Sequence, residues 1–207
     1  MQSLIFDFDG TIINTNNLII QTLKKVAKDK LNLTLEEEKI NEMYGLAIDE
    51  QMRMLDPNRE DELVDYYFDL YLRKVNSETF LFEGIEELLK ELNVRNYSLY
   101  ILTNNNTKDT TQSLDRLNIL NYFEGMITMD DVSNGKPDPE GLQILFNNNN
   151  IDKNKALLIG DSPHDIEAGD EFNIKTVLVG WTMFDLEDFK VKPDQIINKP
   201  GELLELI

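Results

Sequence analysis

The chain has 207 residues, of which 41% are hydrophobic and 29% are charged, so it is long enough for one large globular domain or for a core with a smaller companion. Its 20 basic and 39 acidic residues give a net charge of −19, which argues against nucleic acid and anionic lipid as partners. Because it contains no Cys and a single His, disulfides, thiolate catalysis, Cys-based metal sites and multi-histidine zinc sites are excluded.

The first strand is predicted at the start of the chain. Residues 3–9 read SLIFDFD, an alternating run rich in Phe, Ile and Leu that ends at the turn-forming pair Gly10-Thr11. The segment before this turn carries two Asp and no basic residue, which is unlike a secretory signal. No apolar run in the chain has the length needed to cross a bilayer. We therefore expect a cytoplasmic protein without a membrane partner.

A helical region is predicted from about Asn14 to Thr79. Apolar residues recur there at helical spacing with Asp and Glu between them, and no segment shows the alternation of a strand. One such set is Leu63, Tyr66, Tyr67, Leu70 and Tyr71. We interpret this aromatic stripe as helix core rather than as a ligand site.

Strands and helices alternate after Gly84. The predicted helices cover 85–92, 108–117, 139–146 and 165–172, and the predicted strands cover 97–103, 125–129, 156–160, 176–180 and 195–197. This alternation is typical of parallel βαβ units, in which helices cover both faces of the sheet. We therefore predict an α/β fold with a Rossmann-like parallel sheet core, formed by residues 1–14 and 82–207, and a small all-helical domain at residues 15–81, called the helical insert below.

Polar residues that follow the predicted strands define a candidate site, because ligands of parallel α/β sheets bind at the carboxyl ends of the strands. These residues are Asp7, Asp9, Thr103, Asn104, Lys136, Asp161 and Asp165. Carboxylates crowded into one crevice are forced to hold protons unless a cation is present. A hard divalent ion such as Mg²⁺ removes the conflict, because it takes oxygen ligands and leaves room for a substrate phosphate.

Phosphoryl transfer suits this set of groups. The reaction needs a nucleophile, positive charge around the phosphoryl oxygens and a proton donor for the leaving group. Asp7 and Asp9 point the same way on a strand, so one could attack phosphorus while the other handles the proton. Lys136 and Thr103 would supply charge and a hydrogen bond. The sequence therefore predicts a small anionic phosphorylated substrate and Mg²⁺ as cofactor.

Four segments also resemble the ordered motifs of the haloacid dehalogenase-like hydrolase superfamily. They are DFDGT (7–11), Thr103, KPDP (136–139) and GDSPHD (160–165). Any one of them is a weak signal, but all four occur in order and at predicted strand ends. The resemblance runs nearly end to end, and the helical insert falls where that family places its first-type cap domain.

The resemblance implies a catalytic role for several matched residues. Asp7 would be the nucleophile and a metal ligand. Asp9 would be the general acid and base, and would also bind Mg²⁺ through its backbone carbonyl. Lys136 would steady both Asp7 and the transferring group, while Thr103 and the amide region of Asn104 would bind the phosphate.

The remaining roles concern the metal. Asp161 would bind Mg²⁺ directly, and Asp165 would contact the residues that bind the metal without binding it itself. Dehalogenases of the family lack the second acid, so the presence of Asp9 favours phosphate chemistry.

The sequence gives weaker evidence on the substrate than on the reaction. Five segments resemble the bacterial inorganic pyrophosphatase branch, which adjoins the phosphoglycolate phosphatases. They are 13–20, 128–132, 136–140, 160–166 and 175–182. In the helical insert, Tyr44-Gly45-Leu46 resembles the specificity loop of the family. Possible anion contacts there are Arg53, Arg59 and Arg73, of which Arg53 is preferred because it follows that loop most closely.

Two alternatives stay open at this point. A relative of β-phosphoglucomutase would use the same aspartyl phosphate but return the phosphoryl group to a sugar, and a non-catalytic protein would only bind a phosphorylated ligand. His164 is interpreted as a local hydrogen-bonding residue and Trp181 as packing. Hinges are expected near 14–16 and 79–84, and the sequence does not indicate an oligomeric state.

Overall fold

The fold is seen in a computed structural model, which describes residues 2–207 apart from the side chain of Asn76. The strands are β1 (Ser3–Phe6), β2 (Ile13–Asn14), β3 (Phe80–Leu81), β4 (Ser98–Leu102), β5 (Gly125–Ile127), β6 (Ala156–Gly160), β7 (Lys175–Val179) and β8 (Gln195–Ile197). The α-helices are α1 (Asn16–Leu31), α2 (Glu37–Met43), α3 (Ile48–Leu55), α4 (Glu60–Leu72), α5 (Val75–Glu78), α6 (Ile85–Val94), α7 (Thr107–Arg116), α8 (Glu140–Asn149), α9 (Pro163–Phe172) and α10 (Leu203–Leu206).

Six of the strands in the described part of the chain form one parallel sheet in the order β5-β4-β1-β6-β7-β8. The first strand lies in the middle, with Ile5 paired to Tyr100 on one side and to Leu158 on the other. The chain order therefore reverses at β1. In sheets of this type the crevice for ligands opens at the carboxyl ends of the strands on either side of such a reversal.

Side chains of β1 alternate between two hydrophobic layers, because successive residues of a strand point to opposite faces. Leu4 and Phe6 pack with Leu88 of α6 and Leu114 of α7 on one face. Ile5 packs on the other face with residues of α8 and α9, which include Leu142, Leu145, Ala168 and Phe172. Both faces of the sheet are thus covered by helices, and the predicted α/β fold class is confirmed.

The helical insert contains α1 to α5 and has a hydrophobic cluster of its own. Its buried members include Leu23, Val26, Met52, Leu63 and Tyr67. Tyr67 and Tyr71 stack with ring centroids 5.8 Å apart, as expected for an aromatic stripe that forms helix core. None of the described helices is long and apolar enough to span a membrane.

The two chain crossings between the helical insert and the sheet lie side by side. The short strands β2 and β3 pair antiparallel, with Ile13 opposite Leu81 and Asn14 opposite Phe80. From the core side, the guanidinium of Arg116 donates to the Thr79 hydroxyl at 2.7 Å. This ribbon was not predicted, because two residues are too few to show an alternating pattern.

Most predicted elements differ from the observed ones by one or two residues at their ends. The strand at 156–160 and the last strand at 195–197 have the predicted bounds. The first strand is shorter than predicted, since it ends at Phe6 and releases Asp7 and Asp9 into the loop that follows.

Candidate active site

The loop after β1 carries the first acids of the site. The backbone N–H of Asp7 still donates to Ile159 of β6 at 2.8 Å, so this residue is held in line with the sheet. The chain then turns back at Gly10, which has a φ of +85°. The hydroxyl of Thr11 donates to the Asp7 carboxylate at 3.3 Å. The sequence DFDGT thus places a carboxylate at the centre of the crevice.

Lys136 reaches the same point from the loop that precedes α8. Its ammonium lies 2.6 Å from Asp7 Oδ1 and 2.5 Å from Asp165 Oδ1, and all three side chains are buried. Such charge-assisted hydrogen bonds fix the carboxylate and the ammonium relative to each other. The structure therefore brings Lys136 and Asp7 together, as the sequence analysis expected.

The loop after β6 supplies the other two acids. Asp161 follows the strand directly, and Ser162 is the N-cap of α9, whose first turn contains Asp165. Asp165 Oδ2 accepts from the backbone N–H of Ser162 at 3.0 Å and from its hydroxyl at 2.7 Å, which forms a capping box. Asp165 thereby takes part in the cap of α9 and also pairs with Lys136.

Asp9 and Thr103 border the crevice next to β4. Asp9 Oδ2 accepts from the side chain of Asn105 at 3.1 Å, while its Oδ1 is buried without a hydrogen-bond partner in the described structure. Thr103 is buried at the end of β4, and its hydroxyl accepts from the Asn105 backbone N–H at 3.1 Å. Asn105 was missed in the sequence, where it is one of three consecutive Asn residues in a loop.

Burial dominates the electrostatics of these acids. It raises the pKa of Asp7 to about 7, although Lys136 opposes the rise and Asp165 adds to it. Burial also raises the pKa of Asp9. It raises the pKa of Asp161 well above its usual range, and the charges of Asp7 and Asp165 add to that effect. Burial alone would lower the pKa of Lys136, but Asp165 and Asp7 raise it, so the lysine stays charged.

These observations fit a divalent cation. One carboxylate oxygen from each of Asp7, Asp161 and Asp165 lies within 4.8 Å of the other two. Asp161 Oδ2 is buried and lacks a hydrogen-bond partner among the described residues. A buried carboxylate oxygen without a donor is unfavourable unless a cation or a proton satisfies it. The donor set consists of oxygens, which is the chemistry that Mg²⁺ prefers.

The helical insert lies over these core residues and forms with them a partly open cavity of about 60 Å³. Its lining from the core includes Asp7, Asp9, Thr103, Asn104, Asn105, Lys136, Asp161 and Ser162. The lining from the insert is Ile19, Tyr44, Gly45, Leu46, Ile48, Gln51, Tyr67, Phe68 and Tyr71. Lys136 is the sole basic residue in the described lining, so positive charge in the cavity comes from the core.

The three arginines considered for the insert lie outside this cavity. Arg53 forms two hydrogen bonds of 2.8 Å with Glu60, and its side chain is 52% exposed. Arg59 pairs with Glu62, and Arg73 pairs with Asp69. The structure thus does not bring Arg53 to the other site residues, because a carboxylate in its own helical region already holds it.

Tyr44-Gly45-Leu46, noted in the sequence for its resemblance to a specificity loop, lines the cavity, but other lining residues of the insert were not predicted. Tyr67 and Tyr71 were predicted as helix core, and they fill that role while also facing the cavity. Gln51 is buried on α3, where its side-chain N–H donates to Leu46 at 2.7 Å. No sequence signal separates a cavity-facing tyrosine from a core tyrosine, since both follow the same helical spacing.

Packing around Gly10 yields a test of the site. A Cβ on Gly10 would lie 2.3 Å from Asp161 Oδ2, and the positive φ disfavours any other residue. We expect Gly10→Ala to lower activity by more than about tenfold and to reduce stability by about 1–3 kcal/mol. Gly201→Ala is the matched control, because nothing lies within 4 Å of its Cβ position. Assays and melting curves of both variants check this, and equal behaviour of the two would contradict it.

Comparison with known proteins identifies the family of this chain. The model of the haloacid dehalogenase-like hydrolases matches residues 4–179. A Listeria monocytogenes protein named pyrophosphatase PpaX is 31% identical over 207 residues, covering 99% of this chain and 95% of the relative. The crystal structure of a hydrolase from Pseudomonas syringae aligns with a TM-score of 0.86 at 24% identity, over 99% of this chain and 97% of the other. The chain belongs to the haloacid dehalogenase-like hydrolases.

Proposed function

We propose that this chain is a Mg²⁺-dependent phosphatase that hydrolyses pyrophosphate or a phosphomonoester of similar size through a phospho-aspartate on Asp7. The observation that carries the proposal is that Asp7, Lys136, Asp161 and a second acid, Asp9, line the core side of one cavity. The phosphatase class itself, predicted from the sequence, is supported by the matching family model and by relatives named as pyrophosphatases.

Asp7 is the proposed nucleophile because its carboxylate is fixed and faces the cavity. One oxygen is held by Lys136 at 2.6 Å, and the other accepts only the longer bond of 3.3 Å from Thr11. In the first step a carboxylate oxygen of Asp7 bonds to phosphorus while the bond from phosphorus to the leaving oxygen breaks. Held in place, the nucleophile attacks without losing further freedom of motion.

Asp9 is the proposed general acid and base. Burial raises the pKa of its carboxyl, which favours the protonated form needed to donate to the leaving oxygen. Once deprotonated, the same carboxylate accepts a proton from the water that attacks the phospho-aspartate and releases phosphate. Asn105 orients this side chain through the bond to Oδ2, so the other oxygen remains for the reacting group.

The remaining charges are balanced by Lys136 and the proposed metal. Mg²⁺, held by Asp7, Asp9 and Asp161, would supply positive charge to the phosphoryl oxygens when bound. Lys136 steadies the same group, and Thr103 with the backbone amide of Asn104 binds phosphoryl oxygens. Asp165 keeps Lys136 in place through the 2.5 Å contact.

The arrangement of insert and core suggests a separate role for each. We propose that residues 15–81 act as a cap domain on the core formed by 1–14 and 82–207, with movement at the β2–β3 ribbon. The cavity of about 60 Å³ between insert and core is partly open, and further closure of the insert on a bound substrate would exclude water and favour a small substrate. Arg53 would reach a substrate only after leaving Glu60, so it stays a prediction.

A panel of phosphorylated compounds tests the substrate class. We expect kcat/KM for pyrophosphate and phosphoglycolate to exceed that for nucleoside monophosphates by at least about a hundredfold, because a nucleoside is much larger than the cavity of about 60 Å³ between insert and core. Sugar phosphates with and without a bisphosphate activator probe the mutase alternative. Efficient hydrolysis of nucleotides would contradict the small-substrate proposal, and isomerisation of a sugar phosphate would favour the mutase.

A further inference from the structure

One side chain joins three parts of the closed site. The Asn104 amide nitrogen donates to the Gly45 carbonyl of the helical insert at 2.9 Å and to the Lys136 carbonyl at 2.8 Å. Its amide oxygen accepts from the Lys136 backbone N–H at 2.7 Å. Both polar atoms of this side chain are therefore used by backbone groups on two loops. A primary amide can do this because it offers two N–H donors and an acceptor oxygen.

The segment that Asn104 holds in the insert is seated closely on the core. We call Tyr44–Leu46 the insert loop. Gly45 has a φ of +85°, and a Cβ there would lie 3.0 Å from the His164 ring and 3.4 Å from Ser162 Cβ. The Tyr44 hydroxyl donates to Asn16 at 2.6 Å, next to the first chain crossing. The insert loop thus docks against the segment from the end of β6 to the first turn of α9, which carries Asp161 and Asp165.

The loop of Lys136 is fitted to Asn104 in a similar way. A Cβ on Gly135 would approach Asn104 Oδ1 to 2.5 Å, so the absence of a side chain at Gly135 allows Asn104 to reach the Lys136 backbone. A separate anchor holds the outer part of this loop, where Glu140 accepts from the backbone N–H groups of Ser133 and Asn134 at 3.0 and 2.9 Å. Asn104 is the anchor on the cavity side.

We propose that Asn104 is a positioning residue that couples closure of the helical insert to the placement of Lys136. When the insert loop leaves, the Gly45 carbonyl is withdrawn and the Asn104 amide loses one of the acceptors that fix its orientation. Its bonds to the Lys136 backbone then loosen, and the ammonium is less well held against Asp7. The lysine is thus fully ordered when the cavity is closed around a substrate. This inference rests on the proposed function of the site.

Asn104→Asp is the informative variant, because it keeps the size and the acceptor but removes both donors. We expect kcat for Mg²⁺-dependent pyrophosphate hydrolysis to fall by about tenfold or more at a temperature well below the melting point. Hydrogen exchange of peptides covering the insert loop should be faster by about tenfold in the same variant. A side chain that only ordered the Lys136 loop could lower kcat when replaced, but it would leave hydrogen exchange at 44–46 unchanged.

Glu140→Ala is the matched control, since it loosens the Lys136 loop without contacting the insert. We expect it to leave hydrogen exchange at 44–46 as in the unmodified protein. Unchanged exchange of the insert loop in Asn104→Asp, or equal acceleration in Glu140→Ala, would overturn the coupling. If Asn104→Asp does not fold, Asn104→Ser replaces it in the same measurements. If the unmodified protein hydrolyses no phosphate compound, the proposed function fails, whereas the exchange data still decide the contact between Asn104 and the insert.

Discussion

Replacing Asp7 by Asn is expected to lower kcat for Mg²⁺-dependent hydrolysis by more than about a thousandfold, because the amide is a far weaker nucleophile than the carboxylate. The change is nearly isosteric, and Lys136 keeps its second partner, Asp165, which lies 2.5 Å away in the unmodified protein. The fold should therefore persist. Steady-state kinetics with pyrophosphate and circular dichroism of the same samples measure both expectations.

The control for this variant is Asp109→Asn. Asp109 is also buried, but it bonds to Asn106 at the start of α7 and does not line the cavity. We expect it to retain most of the activity. Beryllium fluoride with Mg²⁺ should raise the melting temperature of the unmodified protein and of Asp109→Asn, but not that of Asp7→Asn, because the adduct mimics phospho-Asp7. Appreciable Mg²⁺-dependent turnover by Asp7→Asn would refute the assignment.

Replacing Asp161 by Asn is expected to have opposite effects on activity and stability. Asp161 is buried, its Oδ2 has no partner in the described structure, and burial raises the pKa of its carboxyl well above the usual range. The neutral amide should therefore raise the melting temperature of the metal-free protein by several degrees, since about 1 kcal/mol corresponds to about 2–4 °C at this size. Activity and stabilisation by Mg²⁺ should both be lost.

The same acids predict how metal-free stability depends on pH. The folded pKa of Asp7, about 7, lies above the ordinary value of 3.8, and the pKa values of Asp9 and Asp161 are also raised. A raised carboxyl pKa contributes stability that is complete below the unfolded pKa and is lost as pH rises through the folded pKa. In EDTA the protein should therefore melt lower at pH 8 than at pH 6, and Asp161→Asn should reduce that difference. A higher melting temperature at pH 8 would contradict this account.

The residues that the core contributes to the site could largely be predicted from the sequence, because they lie directly after the ends of strands. The buried strands β1, β4 and β6 are short apolar runs, and parallel pairing brings their carboxyl ends to one edge. The order of the elements was therefore enough to predict that Asp7, Thr103 and Asp161 lie together. Lys136 lies further from its strand, in the loop beyond β5, and both this position and the motif resemblance indicated it.

Apart from Tyr44–Leu46, the residues that the insert contributes to the cavity could not be predicted, because they depend on how packed helices face each other. Arg53 follows the insert loop in sequence, but Glu60 on the neighbouring helix binds it outside the cavity. Gln51 and Tyr67 have no sequence feature that distinguishes lining from core. The bridge made by Asn104 joins positions 45, 104 and 136, and pairings over such separations appear only when the two parts of the fold are seen together.

The most direct test of the central claim is acid quench of a single turnover with ³²P-labelled pyrophosphate and Mg²⁺, followed by mapping of the labelled peptide. We predict transient label on the peptide that contains Asp7, absent in Asp7→Asn and rising before free phosphate appears. Formation of phosphate at full rate with no label on that peptide at any time would contradict transfer to Asp7.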